Sequence, residues 1–292
     1  MNGILVLANN LNYFRFFVKN YPSEIKNDNY KLFVVNEVKI GNKLEELNDI
    51  LKNSDITNYV ILSSETIYDK FKEDCLSNNF VDEYTMGMNI LSLWYVKKYF
   101  EDVKKLLWLD DDVILNKNIS KVFESDAHLF KTNRLSAGSP IFESQSKNSK
   151  NIYNEWFRIF NIKFSQDWWI NEYIKKYSNS GQFLVNLAKL DIKNYESKLC
   201  DFYRSDIFYT AWTNRRTHTS WYFDERFITL YFFDFLNDGL KKKAYLLLSK
   251  PEKLNSKAYE NLKNFPIIHV CNNSHKMKTY QLLVKNGVIK DY

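Results

Sequence analysis

The stretch Leu106-Leu107-Trp108-Leu109-Asp110-Asp111-Asp112-Val113-Ile114 runs from four apolar residues into three consecutive carboxylates. A short continuous apolar run of this kind is typical of a strand that is buried on both faces of a parallel sheet. Side chains alternate along an extended chain, so Asp110 and Asp112 point to one side and Asp111 to the other. The stretch therefore predicts a central strand that ends in a pair of carboxylates.

The paired carboxylates have two interpretations. Carboxylates this close repel each other, and a hard divalent cation is the usual means of keeping both ionised. Ligands of open α/β sheets also bind at the carboxyl ends of the strands, where this pair would lie. A solvated acidic turn, or a cap for the segment that follows, explains the same residues without a ligand. The residues alone leave both interpretations open.

The N-terminal part of the chain alternates between two patterns. Apolar β-rich runs lie at 4–8, 32–35, 59–62 and 105–109, and helical patterns lie between them at 11–18, 44–51 and 86–100. Strands that alternate with helices predict an α/β protein, with a mostly parallel central sheet flanked by helices.

The C-terminal part is less regular. Three further strands are predicted, at 183–186, 244–248 and 267–270, and residues 143–151 have the composition of an exposed loop. Ser165 and Asp224 are predicted N-caps of two further helices.

Composition limits the class of protein. The chain has 292 residues, 45% hydrophobic and 26% charged, which excludes intrinsic disorder. No apolar stretch approaches the ~18 residues of a membrane span, and the apolar start is too short for a signal peptide, so we expect a soluble cytoplasmic protein. The net charge of +6 permits a polyanionic partner without requiring one.

Cysteine usage gives a separate expectation. Cys75, Cys200 and Cys271 are odd in number, far apart in sequence and without a C-x-x-C pair. This pattern predicts buried free thiols rather than a disulfide framework or a zinc site.

The acidic stretch also resembles a known element. The pattern Trp-Leu-Asp-x-Asp-Val-Ile around Asp110 and Asp112 resembles the D-x-D element of GT-A glycosyltransferases, most closely those of family 8. In the same order as in that family, residues 179–186 are similar to its N-S-G segment and residues 267–270 to its I-I-H segment. Residues 5–9, followed by Tyr13, resemble its nucleotide-binding start.

Two departures from family 8 are visible. In the family, the histidine of the I-I-H segment is followed by a glycine and then a lysine, whereas Cys271-Asn272-Asn273-Ser274-His275-Lys276 follows it here. The helix before the D-x-D strand also lacks the family's arginine, since its start is Tyr84-Thr85-Met86-Gly87-Met88-Asn89.

The resemblance implies a GT-A fold in a single catalytic domain over residues 1–292, with a nucleotide-sugar-binding half (1–130) and an acceptor-binding half (131–292). It implies a retaining transferase that moves a hexose from a nucleotide diphosphate sugar, such as UDP-glucose or UDP-galactose, to a hydroxyl of a glycan, lipid or protein. The implied metal ligands are Asp110, Asp112 and His269. A histidine beside carboxylates favours Mn²⁺ over Mg²⁺.

Other site residues follow from the same resemblance. The implied donor-binding residues are Ala8, Asn9, Tyr13, Asp111, Asn179, Ser180, Gly181 and Lys276. Asp167 and Asp224 join Asp110 and Asp112 as candidate catalytic carboxylates. Helix capping is an adequate explanation of Asp224. Asp167 is a candidate because Trp168 and Trp169 beside it could stack on a sugar, although such a pair is more often part of a core.

Three other functions remain open. Residues 212–222 combine Arg215 and Arg216 with aromatic and hydroxyl side chains, which suits a transferase that acts on a hydroxylated base in DNA. A nucleotidyltransferase would bring a Gly-rich phosphate loop near the N-terminus, where Gly3 is the one glycine before Gly41. A non-catalytic sugar-nucleotide-binding module would keep the fold without needing Asp112.

Overall fold

The computed structural model describes residues 1–36, 43–75, 87–132, 154–163, 165–173, 176, 178–205, 223–248, 250–270 and 275–292. Its strands are β1 (Asn2–Ala8), β2 (Tyr30–Asn36), β3 (Tyr59–Ser63), β4 (Lys105–Asp110), β5 (Val113–Leu115), β6 (Leu129–Thr132), β7 (Ser178–Asn186), β8 (Tyr245–Leu248) and β9 (Ile267–Val270).

The principal helices are α1 (Leu11–Lys19), α2 (Lys43–Lys52), α3 (Ser64–Cys75), α4 (Met88–Tyr99), α5 (Ile192–Arg204), α6 (Phe223–Tyr231), α7 (Gly239–Lys243), α8 (Ser256–Leu262) and α9 (Lys276–Lys285). Residues 154–159 are also helical. Gln166–Trp168 form a single α-helical turn that continues as the π-helical turn Trp169–Tyr173.

The main sheet has six strands in the order β3-β2-β1-β4-β7-β6. The pairs β3–β2, β2–β1 and β1–β4 are parallel, whereas β7 is antiparallel to both β4 and β6. The predicted α/β architecture with a mostly parallel sheet and flanking helices is confirmed. The D-x-D strand β4 lies inside the sheet, between β1 and β7, as predicted.

Hydrophobic burial explains why β4 is internal. Leu106 and Trp108 pack into one large core, and Leu107 and Leu109 pack into a second core on the opposite face. All four side chains are at most 1% exposed. Only a strand with apolar residues on both faces tolerates this position, because each face is covered by helices.

A smaller sheet attaches the C-terminal part of the chain to the D-x-D stretch. Its order is β5-β9-β8, with β5 antiparallel and β8 parallel to β9. Ile114, Ile268 and Tyr280 share a third core beneath it, to which Phe16 of α1 also contributes. The smaller sheet therefore fixes β9 and α9 next to the end of β4.

The predicted caps had different outcomes. Ser165 Oγ accepts a hydrogen bond from the Trp168 N–H at 3.1 Å, as expected of a cap. Asp224 is not an N-cap, because α6 begins one residue earlier, at Phe223. Its Oδ1 instead accepts from the Glu225 N–H at 2.9 Å, inside the first turn. The predicted loop at 143–151 and the basic segment at 212–222 lie outside the described residues.

The cysteine prediction is wrong for two of the three residues. Cys75, at the end of α3, forms a disulfide with Cys200 of α5, with the two Cα atoms 5.7 Å apart. Both helices pack against α4, which brings together residues that are 125 positions apart. Spacing along the sequence gives no sign of such a pair. Cys271 lies outside the described residues.

None of the helices in the described part of the chain has the length and apolar composition that crossing a bilayer requires.

Candidate functional site

Strand pairing builds the site at one edge of the main sheet. β1 and β4 are adjacent and parallel, so their carboxyl ends meet there. Beyond β4 the chain passes Asp111 and Asp112 and enters β5, whose Val113 pairs with His269 of β9. The Val270 N–H donates to the Asp112 carbonyl at 3.0 Å and continues this pairing. Backbone hydrogen bonds between β5 and β9 therefore hold His269 next to the carboxylates.

Asp110, Asp112 and His269 form a compact group. One ligand atom from each lies within 4.8 Å of the other two. His269 Nε2 is 3.2 Å from Asp112 Oδ1, and both side chains are buried. The sequence-predicted metal ligands are thus brought together.

The donor atoms fit a hard divalent cation. Asp112 Oδ1 is buried and receives no hydrogen bond of acceptable geometry from the described residues, although the imidazole lies beside it. Two ligands of one ion, each bonded at about 2.1 Å and at right angles, lie about 3 Å apart. The 3.2 Å between Asp112 Oδ1 and His269 Nε2 has that spacing.

The three consecutive carboxylates have different proton affinities. Burial, and then the charges of Asp112 and Asp111, raise the pKa of Asp110 well above its ordinary value. Burial raises the pKa of Asp111 to about 7 against the opposing hydrogen bond from Asn10. Burial acts on Asp112 in the same direction, but His269 and Lys276 outweigh it and lower its pKa. Asp112 is therefore the carboxylate of the three that stays ionised most readily.

Asp111 ties the acidic stretch to the turn between β1 and α1. Its Oδ2 accepts a hydrogen bond from the Asn10 N–H at 2.5 Å, and the residue is buried. In the β1–β4 register Leu7 is opposite Asp110, so Ala8 and Asn9 follow beside Asp111. The predicted donor-binding start of the chain lies next to the predicted metal ligands.

Tyr13 and Lys276 lie on the same side of the site. The Lys276 ammonium contacts Asp112 Oδ2 and lies 5.5 Å from the centroid of the Tyr13 ring. Tyr13 stacks on Tyr280, with ring centroids 5.5 Å apart. Helix α9 thus presents a lysine and a tyrosine to the first turns of α1.

The start of β7 forms the other side of the site. β7 is antiparallel to β4, so its first residues, which include Asn179, Ser180 and Gly181, run beside the end of β4. Gln182, opposite Leu109, is fully buried and donates from Nε2 to Asp110 Oδ2 at 3.1 Å. Sequence reasoning missed Gln182, although it lies within the segment 179–186 that resembles the family's N-S-G segment, because it predicted no antiparallel partner for β4.

The two remaining candidate carboxylates differ in position. Asp224 Oδ2 accepts from Asn89 Nδ2 at 2.5 Å, and its charge contributes to the raised pKa of Asp110. Asp167 is exposed, its Oδ1 accepts from Asn171 Nδ2 at 2.6 Å, and it has no part in the described contacts of the metal-ligand group. Asn89 is a second residue that sequence reasoning missed; it lies where the arginine of family 8 was expected and not found.

Two surface cavities, of about 400 and 590 Å³, lie away from this group. Their walls pair bases with acids, such as Arg15 with Glu46 at 2.8 Å and Lys98 with Glu196 at 2.9 Å. Neither cavity is lined by a residue of the candidate site.

Comparison with known proteins shows which solved structures have a similar fold. No protein-family model and no curated protein sequence matches the chain. Among solved structures, the bifunctional glycosyltransferase WbbM is similar with a TM-score of 0.56 and 10% identity, over 98% of this chain and 49% of WbbM. The galactosyltransferase LgtC is similar with a TM-score of 0.49 and 13% identity, over 100% of this chain and 97% of LgtC.

Mouse xyloside xylosyltransferase 1 gives a TM-score of 0.49 and 14% identity, over 93% of this chain and 98% of that chain. At such low sequence identities, structural similarity is evidence of a shared fold alone. Among these three structures, the conclusion about the fold rests on WbbM, whose TM-score is above 0.5. The chain has the GT-A fold of glycosyltransferases.

Proposed function

We propose that this protein is a metal-dependent glycosyltransferase. It moves a hexose from a nucleotide diphosphate sugar, such as UDP-glucose or UDP-galactose, to a hydroxyl of a glycan, lipid or protein. The observation that supports this best is the convergence of Asp110, Asp112 and His269 within 4.8 Å at the carboxyl edge of a GT-A sheet. We propose residues 1–130 as the donor-binding half and 131–292 as the acceptor-binding half of one catalytic domain.

The metal ion would be held by Asp110, Asp112 and His269. The mixed carboxylate and imidazole set favours Mn²⁺ over Mg²⁺, which prefers oxygen ligands and water. Such an ion, when bound, stabilises the negative charge that develops on a departing diphosphate.

The surrounding residues have distinct proposed roles. Ala8, Asn9 and Tyr13 are our candidates for binding the nucleotide, and the bond from Asn10 to Asp111 fixes the turn between β1 and α1 close to them. The Lys276 ammonium, beside Asp112, is within reach of a diphosphate bound there.

On the other side, Asn179, Ser180 and Gly181 run beside the end of β4, where the transferred sugar would lie. Asp224, close enough to influence Asp110, is our candidate for a carboxylate near the reacting sugar. The exposure of Asp167 and its bond to Asn171 give it less support. The likeness of the N-S-G and I-I-H segments to family 8 supports a retaining reaction.

Thermal unfolding against a panel of nucleotide diphosphate sugars, with and without Mn²⁺, tests the proposal. A ligand that binds the native state raises the melting temperature by mass action. We expect one donor to raise it by about 5 °C in the presence of Mn²⁺. The rise should vanish in Asp112→Asn and persist in Asp28→Asn, which changes an exposed carboxylate elsewhere.

If no donor raises the melting temperature of the wild type, the transferase proposal fails and a binding module of other specificity replaces it. If the rise survives Asp112→Asn, the donor binds without the proposed metal site.

A specific observation favours a second candidate, a transferase that acts on a hydroxylated base in DNA. Residues 239–292 carry eleven lysines and three acidic residues, so this segment has a net charge of +8 and the rest of the chain −2. The same segment supplies β9 and α9, which form one wall of the site. Lys257, Lys278 and Lys285 are exposed on its helices.

The DNA proposal is tested by the salt dependence of binding to a labelled duplex. Release of counterions from several phosphates weakens binding by about 10³-fold or more between 50 and 200 mM salt. Replacing Lys257 and Lys285 by glutamate should weaken binding further, whereas the same change at Lys52 and Lys104 should not. Salt-independent binding contradicts an acceptor of this kind.

A further inference from the structure

Asp112 divides its two oxygens between different partners. Oδ1 faces His269 Nε2 at 3.2 Å, whereas Oδ2 is in contact with the Lys276 ammonium. The side chain of Asp112 is 7% exposed and that of Lys276 17% exposed. An ion pair so poorly accessible to water is weakly screened, so the lysine charge acts strongly on whatever binds at Oδ1.

The lysine has a second partner close by. Its Nζ is 5.5 Å from the centroid of the Tyr13 ring, within the range of a cation–π contact. Tyr13 is itself held by stacking on Tyr280, one turn beyond Lys276 in α9. The Tyr13 ring therefore compensates part of the Lys276 charge in addition to Asp112.

The contact between Lys276 and Asp112 affects the charge balance of the site. Asp110, Asp111 and Asp112 attract a divalent cation, and the Lys276 ammonium cancels part of that attraction and repels the cation. A diphosphate bound at the same edge attracts both the lysine ammonium and the cation, and its negative charge offsets the repulsion between them.

We propose that Lys276 is a built-in counter-cation of Asp112 that opposes binding of the metal ion alone and favours its binding together with a nucleoside diphosphate. This inference rests on the proposed function, since it assumes that Asp112 is a metal ligand. Lys276 then acts on the metal through Asp112 and makes the metal and the diphosphate bind cooperatively. By linkage, each ligand strengthens the binding of the other by the same factor.

Titration of free Mn²⁺, followed by its electron paramagnetic resonance signal, tests the inference with and without UDP. In the wild type we expect UDP to tighten Mn²⁺ binding by about tenfold or more. Lys276→Met keeps an unbranched side chain of similar length and removes its charge. It should tighten binding of Mn²⁺ alone by about threefold to tenfold and reduce the effect of UDP to about twofold.

Lys278→Met is the matched control, because Lys278 lies two residues further along α9 and is exposed. It should behave as the wild type. Lys276→Gln serves as a second neutral variant if the methionine variant unfolds, and circular dichroism melting of each variant verifies the fold.

Two results overturn the inference while leaving the proposed function intact. One is a loss of Mn²⁺ affinity in Lys276→Met without nucleotide, which would make Lys276 a mere support for Asp112. The other is an unchanged Mn²⁺ affinity with an unchanged effect of UDP. A wild-type protein that binds neither Mn²⁺ nor UDP overturns the inference and the proposed function together.

Discussion

Two histidines of this protein are similarly buried but have different neighbours. His269 is 7% exposed and faces the carboxylate of Asp112, whereas His128 is 4% exposed and faces aromatic rings. His128 Nδ1 accepts a hydrogen bond from the Asn186 N–H at 3.2 Å, and its ring lies 5.2 Å from that of Phe232. Burial therefore does not distinguish a proposed metal ligand from a structural histidine; the neighbouring groups do.

One strand connects the two regions. Gln182, near the start of β7, donates a hydrogen bond to Asp110. Asn186, at the end of the same strand, donates from its backbone N–H to His128. Asn186 also donates from Nδ2 to the Asp126 carbonyl at 2.8 Å. The start of β7 thus lies at the candidate site, whereas its end lies at a turn in which the polar groups of Asn186 are hydrogen-bonded.

Replacing each histidine by leucine should separate the two regions most strongly. His269→Leu removes a proposed ligand and should weaken Mn²⁺ binding by about 100-fold, because the loss of even an outer-shell partner costs 10–100-fold. His128→Leu should leave Mn²⁺ binding unchanged and lower the free energy of unfolding by about 1–3 kcal/mol, because the buried Asn186 N–H loses its acceptor.

Isothermal titration with Mn²⁺ and urea unfolding of both variants measure these effects. A His128→Leu protein that folds stably but loses Mn²⁺ would show that the comparison assigns the wrong histidine.

The pH dependence of stability is the next largest effect. Burial, assisted by the charge of Lys189, lowers the pKa of His128 to about 4. The unfolded chain, with an ordinary pKa of about 6.5, takes up the proton first as the pH falls. Stability from the neutral His128 is therefore complete above pH 6.5 and is lost as the pH falls towards 4.

Between pH 7.5 and pH 5 this loss is about 2 kcal/mol. We expect the difference in unfolding free energy between the wild type and His128→Leu to shrink by that amount, as measured by urea unfolding at the two pH values. A difference that stays constant would mean that His128 is protonated at pH 5 in the native state.

The smallest expected effect concerns the two amides of β7. Gln182→Met removes the hydrogen bond to Asp110 and should weaken Mn²⁺ binding by about tenfold with little change in melting temperature. Asn186→Ala should do the reverse and lower the unfolding free energy by about 1–2 kcal/mol. Equal effects of the two variants on Mn²⁺ binding would contradict the separation of the regions.

Local pattern predicted most of the fold. The apolar runs that became β1, β2, β3 and β4 are continuous enough to be recognised as buried strands, and their alternation with helices implied parallel pairing. A strand was also predicted at 183–186, within β7, but its antiparallel direction was not, because direction depends on the sheet that a strand joins and not on its own residues. The disulfide between Cys75 and Cys200 was missed for a similar reason, since the two residues are 125 positions apart and meet only when α3 and α5 both pack against α4.

The candidate site was predicted unevenly. Asp110 and Asp112 were identified by their position after a buried strand, and the resemblance supplied His269 and Lys276. Gln182 and Asn89 were missed, because an amide has no sequence signature until its carboxylate partner is known. Asp167 was chosen for its tryptophan neighbour, and the structure shows Trp168 packed on Phe157 instead.

The sequence by itself determined the class of fold and the end of the strand at which carboxylates collect, because hydrophobic burial and side-chain alternation act between neighbours along the chain. Tertiary structure alone decided which groups those carboxylates meet. The pairing of β5 with β9 brings His269 and Lys276 to Asp112 from the far end of the chain. Charges and hydrogen bonds act through space over a few ångströms, so their partners follow from the folded path and not from spacing in the sequence.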